Sequence, residues 1–365
     1  MLPPGAHRVE LELWNGEATE TTEVFVYVPA EKDSHPRLRP LLHVAHGTGG
    51  NGGFAPQMWR EVADSIGMIV VAPSESGPNQ GYRFDPRERE IARAAIRWAQ
   101  RSFPIDARRI HLTGISRGGH LTWDVALRFP DLAASIAPMI GGPRWNPNGQ
   151  NNLRFLENLV QLPIRDLQGL KDDPRMIANL QLAFDALEKF GATDAQFVTF
   201  PERGHSFDFD AVDWIELFGQ TTRNSRPEKV VRVAATPGEG RAFWVEVLAY
   251  DKSVKDRFRP TISASIARRG EEAQRRHINQ RAVSLSARLD ARLLKPGSVR
   301  VRRKGVAKYR LLLDDSMLGT SKRVLVRDGS RTHRPKPERS AQVLLREFVD
   351  RLDRSFLPVF EWRSK

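Results

Sequence analysis

An α/β fold is predicted for residues 1–225 of this 365-residue chain, as a doubly wound, mostly parallel sheet with helices on both faces. A smaller β-rich, sandwich-like domain ending in a helix is predicted for 226–365. Three observations carry this reading. Short apolar runs alternate with segments of helical period in the first part, as strands buried on both faces alternate with the helices that cover them. Near TTRNSRPEK (221–229) the helical segments give way to closely spaced strand-like runs. Charge divides at the same place: residues 1–230 hold 25 basic and 29 acidic residues, a net of −4, and the remainder hold 32 and 15, a net of +17.

Element by element, Arg8–Trp14 and Glu23–Val28 alternate apolar and polar residues and read as a hairpin of half-buried strands. Leu41–Ala45, Met68–Ala72, Ile110–Ile115, Ser135–Ile140, Ile164–Gln168 and Gln196–Phe200 read as the strands of the sheet. Between them, Arg89–Phe103 carries Ile91, Ala94, Ala95, Trp98 and Phe103 near helical spacing. Leu121–Phe129, Arg175–Phe190 and Ala211–Phe218 read as further helices, with an Asn/Pro-rich insert over Pro143–Asn152. In the second part the predicted strands are Val230–Ala234, Ala242–Ala249, Thr261–Ala267, Ala282–Leu289, Val299–Arg303, Tyr309–Leu313 and Lys322–Val326. Ser340–Arg354 is the terminal amphipathic helix.

The chain has no Cys, which excludes a disulfide scaffold, a thiol nucleophile, an iron–sulfur cluster and a Cys-ligated zinc site. The opening MLPPGAHRVELELW lacks the apolar core of a secretory signal. As given, the chain is expected to be cytoplasmic, and exported if a leader has been removed. No apolar run approaches the roughly 20 residues of a membrane span.

The chemistry concentrates at Gly114-Ile115-Ser116-Arg117-Gly118, a G-x-S-x-G string between the strand RIHLTGI and a helical segment. Small flanking residues let a serine occupy a sharp strand-to-helix turn that lifts its hydroxyl above the sheet. His46-Gly47-Thr48-Gly49-Gly50 ends an earlier strand, where one N–H of an oxyanion hole belongs, from Thr48 or Gly49. The other donor is the N–H of Arg117. His205 follows the strand QFVTF, and Asp172 or Asp173 follows the strand before that. A serine hydroxyl needs a neutral His to take its proton, and the His needs a carboxylate to fix its tautomer. The chain order Ser, Asp, His is the one such a sheet uses.

Residues 5–220 resemble α/β-hydrolase esterases of the poly(3-hydroxybutyrate) depolymerase, feruloyl esterase and dienelactone hydrolase type. The matching stretches are LLHVAHGTGGNGG, IDARRIHLTGISRGGHLTWDVALRFPDLAASIAPMIG, IRDLQGLKDDP and PERGHSF. The resemblance implies a serine esterase working through an acyl-enzyme, with no cofactor or metal and with a small or polymeric ester as substrate. The family's acid commonly stands three residues after a Gly, and Gly169 then points to Asp172; the adjacent Asp173 and the Arg117 after the nucleophile depart from the pattern. A serine peptidase of the same fold is the near alternative. The C-terminal part resembles, more loosely, a β-sandwich that trails some of these hydrolases.

Competing readings exist for several motifs. Gly47–Gly52 also matches G-x-G-x-x-G with Glu75 ending the next strand, the fingerprint of a dinucleotide-binding oxidoreductase. Two strands precede it, whereas a dinucleotide fold usually starts with that motif. His43 and His46 could suggest a metal, but positions three apart on a strand face opposite sides, so His46 is expected to brace the oxyanion loop. His120 is expected to be structural. Arg117 could meet an anionic substrate group or cover the helix start. Tyr82 and Trp145, on the loops Ser74–Arg83 and Pro143–Asn152, are expected to line the substrate pocket. The basic run Val299–Arg310 reads as a solvated strand face or a protected edge. Without stacking aromatics it predicts no specific nucleic acid, and leaves contact with an anionic surface or polymer as the noncatalytic alternative for this domain.

Overall fold

The computed structural model describes residues 2–75, 81–145 and 151–365. The chain divides into two compact units, one of 1–126, 132–143 and 160–223, the other of 127–131, 144–159 and 224–365.

In the first unit β1 (Gly5–Trp14), β2 (Thr19–Val28), β3 (Arg39–Ala45), β4 (Ile69–Pro73), β5 (Ile105–Ile115), β6 (Ser135–Met139), β7 (Ile164–Gly169) and β8 (Ala195–Phe200) form one sheet. Their order is β1-β2-β4-β3-β5-β6-β7-β8. The β1–β2 and β2–β4 pairs are antiparallel, and β4 through β8 run parallel. β4 and β6 are buried along their whole length, as strands with helices on both sides must be. Helices Arg60–Ile66, Pro86–Ser102, Arg117–Arg128, Pro174–Phe190 and Trp214–Gln220 lie between or after the strands. Around Trp59, which is fully buried, the rings of Phe209, Trp214 and Phe218 pack at 5.0 to 5.6 Å.

From β3 the chain steps outward to β4 and then returns to pair β5 with the other side of β3. The order therefore reverses at the β3–β5 pair, and the loops leaving the two carboxyl ends must diverge. Such a switch point leaves a crevice where ligands bind in open parallel sheets.

The second unit has a four-stranded sheet, β10 (Arg241–Ala242), β11 (Val245–Tyr250), β14 (Val306–Leu313) and β17 (Phe360–Arg363), and a five-stranded one. The latter runs β16 (Arg331–His333), β15 (Leu325–Asp328), β13 (Ser298–Lys304), β12 (Ala287–Lys295), β9 (Lys229–Ala234). Val230, Leu289, Ala291, Val299, Val301 and Val326 from one sheet share a core with Val245, Tyr309, Leu311, Leu313 and Phe360 from the other. This is the packing of a sandwich.

Several expectations need correction. Thr261–Ala267 is not a strand: Ala264–Ala267 is a helical turn whose N-cap Ser263 accepts from the Ile266 amide. The strand expected from Ala282 starts at Ala287, because Glu271–Ser284 is a helix supported by Glu271–Arg275 and Glu272–Arg276 pairs at i,i+4. The Val/Ser/Leu spacing there mimics alternation over too few residues to distinguish the two periods. β13, which carries the basic run, is not a protected edge, since it pairs with β12 on one side and β15 on the other. The break at Arg223 lies two residues before the expected one, and the segments 127–131 and 144–159 join the second unit. Asn158 ties them there, donating to the Leu127 and Val233 carbonyls and accepting from the Val233 amide.

Candidate active site

Ser116 stands at the end of β5, between that strand and the helix Arg117–Arg128. Its φ is +57°, a left-handed conformation that costs a non-glycine residue free energy. The turn closes only because its neighbours lack side chains. A Cβ on Gly114 would lie 2.4 Å from the Gly118 carbonyl oxygen, and one on Gly118 would lie 2.1 Å from that of Ala45. The Ser116 amide donates to the Met139 carbonyl on β6 at 2.8 Å, which anchors the turn to the sheet. Arg117 opens the helix, so its N–H is among the first-turn donors that no helical carbonyl takes.

His205 Nε2 lies 2.8 Å from Ser116 Oγ, and its Nδ1 lies 2.7 Å from Asp172 Oδ2. Gln168 Nε2 donates to the same carboxylate oxygen at 3.0 Å, and the Asp173 amide donates to Oδ1 at 2.7 Å. Burial pushes Asp172 up, but the hydrogen bonds from His205, the Asp173 amide and Gln168 outweigh it and hold the carboxyl below its usual range. Asp173 turns away and accepts from the Arg175 amide as N-cap of Pro174–Phe190. Gly169 has a steric purpose here. A Cβ on it would lie 2.0 Å from the Gly204 carbonyl oxygen, so the loop bearing Asp172 and the loop bearing His205 could not approach. The His205 loop is held from below as Phe207 and Phe209 pack on the core and Trp214 Nε1 donates to the Phe209 carbonyl.

The strand order, the β5–Ser116–helix elbow and the Ser, Asp, His sequence of loops together decide the architecture. The first unit has the α/β-hydrolase fold.

No protein-family model matches the chain. Over 154 residues it is 24% identical to probable acetylxylan esterase A of Aspergillus flavus, covering 39% of this chain and 49% of that protein. Over 133 residues it is 26% identical to poly(3-hydroxyalkanoate) depolymerase C of Paucimonas lemoignei, covering 33% and 31%. The chain therefore spans half or less of the length of these curated relatives. Among solved structures it is similar to a thermostable esterase, with a TM-score of 0.49, 21% identity, and 60% of this chain and 63% of that one covered. It is also similar to a feruloyl esterase module from Clostridium thermocellum, with a TM-score of 0.47, 17% identity, and 59% and 88% covered.

In this fold the glycine-rich loop leaves β3 beside the elbow. The Gly50 amide donates to the Gly47 carbonyl at 3.2 Å, closing a turn with Thr48 and Gly49 at its centre. Gly49 has φ +83°, where a side chain would be strained. A Cβ on Gly47 would stand 3.4 Å from the Ile115 carbonyl and 3.8 Å from Ser116 Cβ, so this loop passes close to Ser116.

Behind the loop lies a buried cluster of charge. The Arg117 guanidinium does not face a substrate: it is fully buried, 2.9 Å from Glu88 and 3.6 Å from Glu75, and donates to the His46 carbonyl at 3.3 Å. Of the two alternatives for Arg117, the contact with an anionic substrate group is the one its burial in the core excludes. His43 and His46 do not face opposite ways. Their Nε2 atoms lie 3.6 and 3.5 Å from the two oxygens of Glu75, because β3 ends at Ala45 and its alternation does not extend to His46. Burial lowers His43 to about 3 and His46 to about 4, and raises Glu75 to about 8 against the pull of Arg117. Among the described residues no group of three or more His, Asp or Glu is arranged to hold a metal.

The dinucleotide reading loses both its parts. The glycines are followed not by one long helix but by a 3-10 turn, Gly52–Phe54, and two short helices, Ala55–Met58 and Arg60–Ile66, and Glu75 is turned into the core. Tyr82 is not a pocket wall of the expected kind. It is buried, its hydroxyl donates to Asp124 at 2.6 Å, and Arg89 meets the same carboxylate at 2.8 Å. Trp145 falls in the second unit, where the Arg275 guanidinium stacks over its ring at 4.9 Å. The centres of both loops expected to line the pocket, 76–80 and 146–150, lie outside the described residues. His120 bridges backbone, with Nδ1 2.6 Å from the Gly142 carbonyl. Sequence reasoning missed Gln168 and Glu88: Gln168 is an uncharged residue whose role shows only in its bond to the Asp172 carboxylate four residues on, and Glu88 acts through Arg117, distant in the chain.

Proposed function

We propose that this chain is a serine hydrolase that cleaves carboxylic esters through Ser116, His205 and Asp172. The reading rests on one observation above all, the His205 imidazole within hydrogen-bond reach of both Ser116 Oγ and the Asp172 carboxylate. Ser116 Oγ attacks the ester carbonyl carbon as His205 Nε2 takes its proton. The tetrahedral oxyanion is held by the Arg117 N–H and by the N–H of Thr48 or Gly49, assisted by the positive end of the helix Arg117–Arg128. His205 then returns the proton to the leaving alkoxide, the alcohol departs, and a water attacks the acyl-enzyme by the same route. Asp172 stays ionised throughout and stabilises the imidazolium. The named relatives act on acetylxylan and on poly(3-hydroxyalkanoate). An ester borne by a polymer is accordingly the substrate class to try first, with a short-chain p-nitrophenyl ester as reporter.

An active-site fluorophosphonate should label wild type and not Ser116→Ala. That variant should turn over p-nitrophenyl acetate about 10⁴-fold more slowly or worse, keeping only oxyanion-hole catalysis. Labelling at another residue, or near-normal turnover by Ser116→Ala, overturns the reading. A serine peptidase would be recognised by a higher kcat/KM on an amide analogue than on the matched ester.

A further inference from the structure

We propose that the outer face of the five-stranded sheet in the second unit is a binding surface for a linear acidic polysaccharide. The inference is independent of the ester chemistry. Cross-strand register aligns Lys229 on β9 with Arg292 on β12, Arg292 with Arg300 on β13, and Arg300 with Arg327 on β15. All four residues are exposed. Neighbouring strands lie about 4.8 Å apart, so four cations stand in a straight row across roughly 14 Å. Arg302 adds a fifth charge beside the row. Lys229, Asp290, Arg292, Arg300 and Arg302 line a depression of about 190 Å³.

Like charges directly opposite each other on adjacent strands oppose pairing. The fold does not relieve this repulsion. Among the described residues Arg292, Arg300, Arg302 and Arg327 have no ion-pair partner. Asp290, the carboxylate in the depression, is engaged by Arg288 at 3.1 Å, and Arg288 itself is held bidentately by Glu157. The other sheet of the same unit treats its cations differently. Arg310 meets Glu246, Glu347 and Glu361, Arg241 meets Glu347, and Arg346 meets both Glu347 and Glu361. Arg292, Arg300 and Arg327, without carboxylate partners among the described residues while the arginines of the other sheet are paired, are complementary to an anion from outside.

The chemistry of the row selects the class. Guanidinium forks match carboxylates in bidentate fashion, and a straight row fits a polymer with one carboxylate per repeat. No aromatic ring stands among the outward-facing residues of β9, β12, β13 and β15, so there is no platform on which nucleic-acid bases could stack.

The test uses the full chain and polygalacturonate as probe, with affinity measured by calorimetry between 50 and 200 mM NaCl. Binding should weaken with a log–log slope of about −3, for the three to four contacts of the row. R292Q/R300Q should bind at least tenfold more weakly with an unfolding midpoint no lower than that of wild type, while K252Q/R276Q, equal in net charge but elsewhere in the unit, should bind as wild type does. The proposal is overturned if wild type does not bind polygalacturonate, or if both double variants lose affinity alike. It is also overturned if single-stranded DNA or phosphatidylglycerol vesicles bind more tightly than polygalacturonate at equal salt.

Discussion

Charge behind the elbow at Ser116 and charge on the five-stranded sheet obey opposite rules. Around the elbow Glu75, Glu88, His43, His46 and Arg117 are buried and lie against one another. On the sheet face Arg292, Arg300 and Arg327 are exposed, of one sign, and in register. A buried ion without a partner costs several kcal/mol, so the interior admits charge only as mutually compensating sets. Water screens exposed charge to about 1 kcal/mol at contact distance, so the surface can carry a surplus. The lesson is that the first kind of cluster fixes geometry and the second fixes what the molecule attracts.

The comparison breaks most sharply at the acid. Asp172→Asn keeps the shape but presents the wrong hydrogen-bonding partner to His205 Nδ1, and should lower kcat by about 10⁴-fold. Asp173→Asn should leave kcat within threefold, since Asn also caps a helix, and Asp173→Ala should cost about 1 kcal/mol of stability in urea unfolding. Comparable kinetic losses at both positions would deny the division of labour between them.

Arg117→Met tests whether the buried set is held by mutual pairing. It leaves Glu75 and Glu88 without their guanidinium and frees the His46 carbonyl, so it should destabilise the chain by about 3–5 kcal/mol. Residual folded protein should show reduced kcat at similar KM, because the loop close to Ser116 loses its tie. A loss below 1 kcal/mol would place the stability of the elbow elsewhere.

The same cluster predicts a pH optimum of stability. The histidines titrate lower in the fold, at about 3 and about 4, than the ordinary 6.5 of the unfolded chain. The unfolded chain therefore binds more protons in that window, and stability rises with pH toward 6.5. Glu75 does the reverse. It titrates at about 8 in the fold against 4.5 unfolded, so the folded chain binds more protons between those values and stability falls as pH rises through them. Within this cluster the two histidines outweigh Glu75 below 6.5, and Glu75 outweighs them above it. The thermal midpoint should therefore peak near pH 6.5 and decline toward 8, and Glu75→Gln should flatten the decline.

At the other extreme, Arg300→Gln on the sheet face should raise stability by a few tenths of a kcal/mol by relieving its neighbours. Destabilisation beyond about 1 kcal/mol would mean that the row has structural partners after all.

Legibility followed the range of the interaction. All eight strands of the large sheet stood in the sequence, because apolar runs of strand length between turn residues report burial locally. Ser116, Asp172 and His205 were legible too, each lying just after a strand in a fixed order. The choice between Asp172 and Asp173 was not contained in the residues themselves, since both are carboxylates one position apart. Tyr82 was misplaced, and the Arg275 partner of Trp145 was not foreseen, because an aromatic in a loop near a site carries no information about which way its ring turns. The helix Glu271–Ser284 was obscured because Val, Ser and Leu near its end imitate strand alternation.

By itself the sequence determined the alternation of strands and helices, the elbow at Ser116 and the concentration of positive charge after residue 230. These follow from local periodicity, backbone sterics and composition, which need no knowledge of distant contacts. Only the tertiary structure decided that Arg117 turns inward, that His43 and His46 converge on Glu75, and that Lys229, Arg292, Arg300 and Arg327 form one row. Each of those depends on strand register and order, which bring together residues far apart in the chain, and register is set by the burial of whole faces rather than by any single residue.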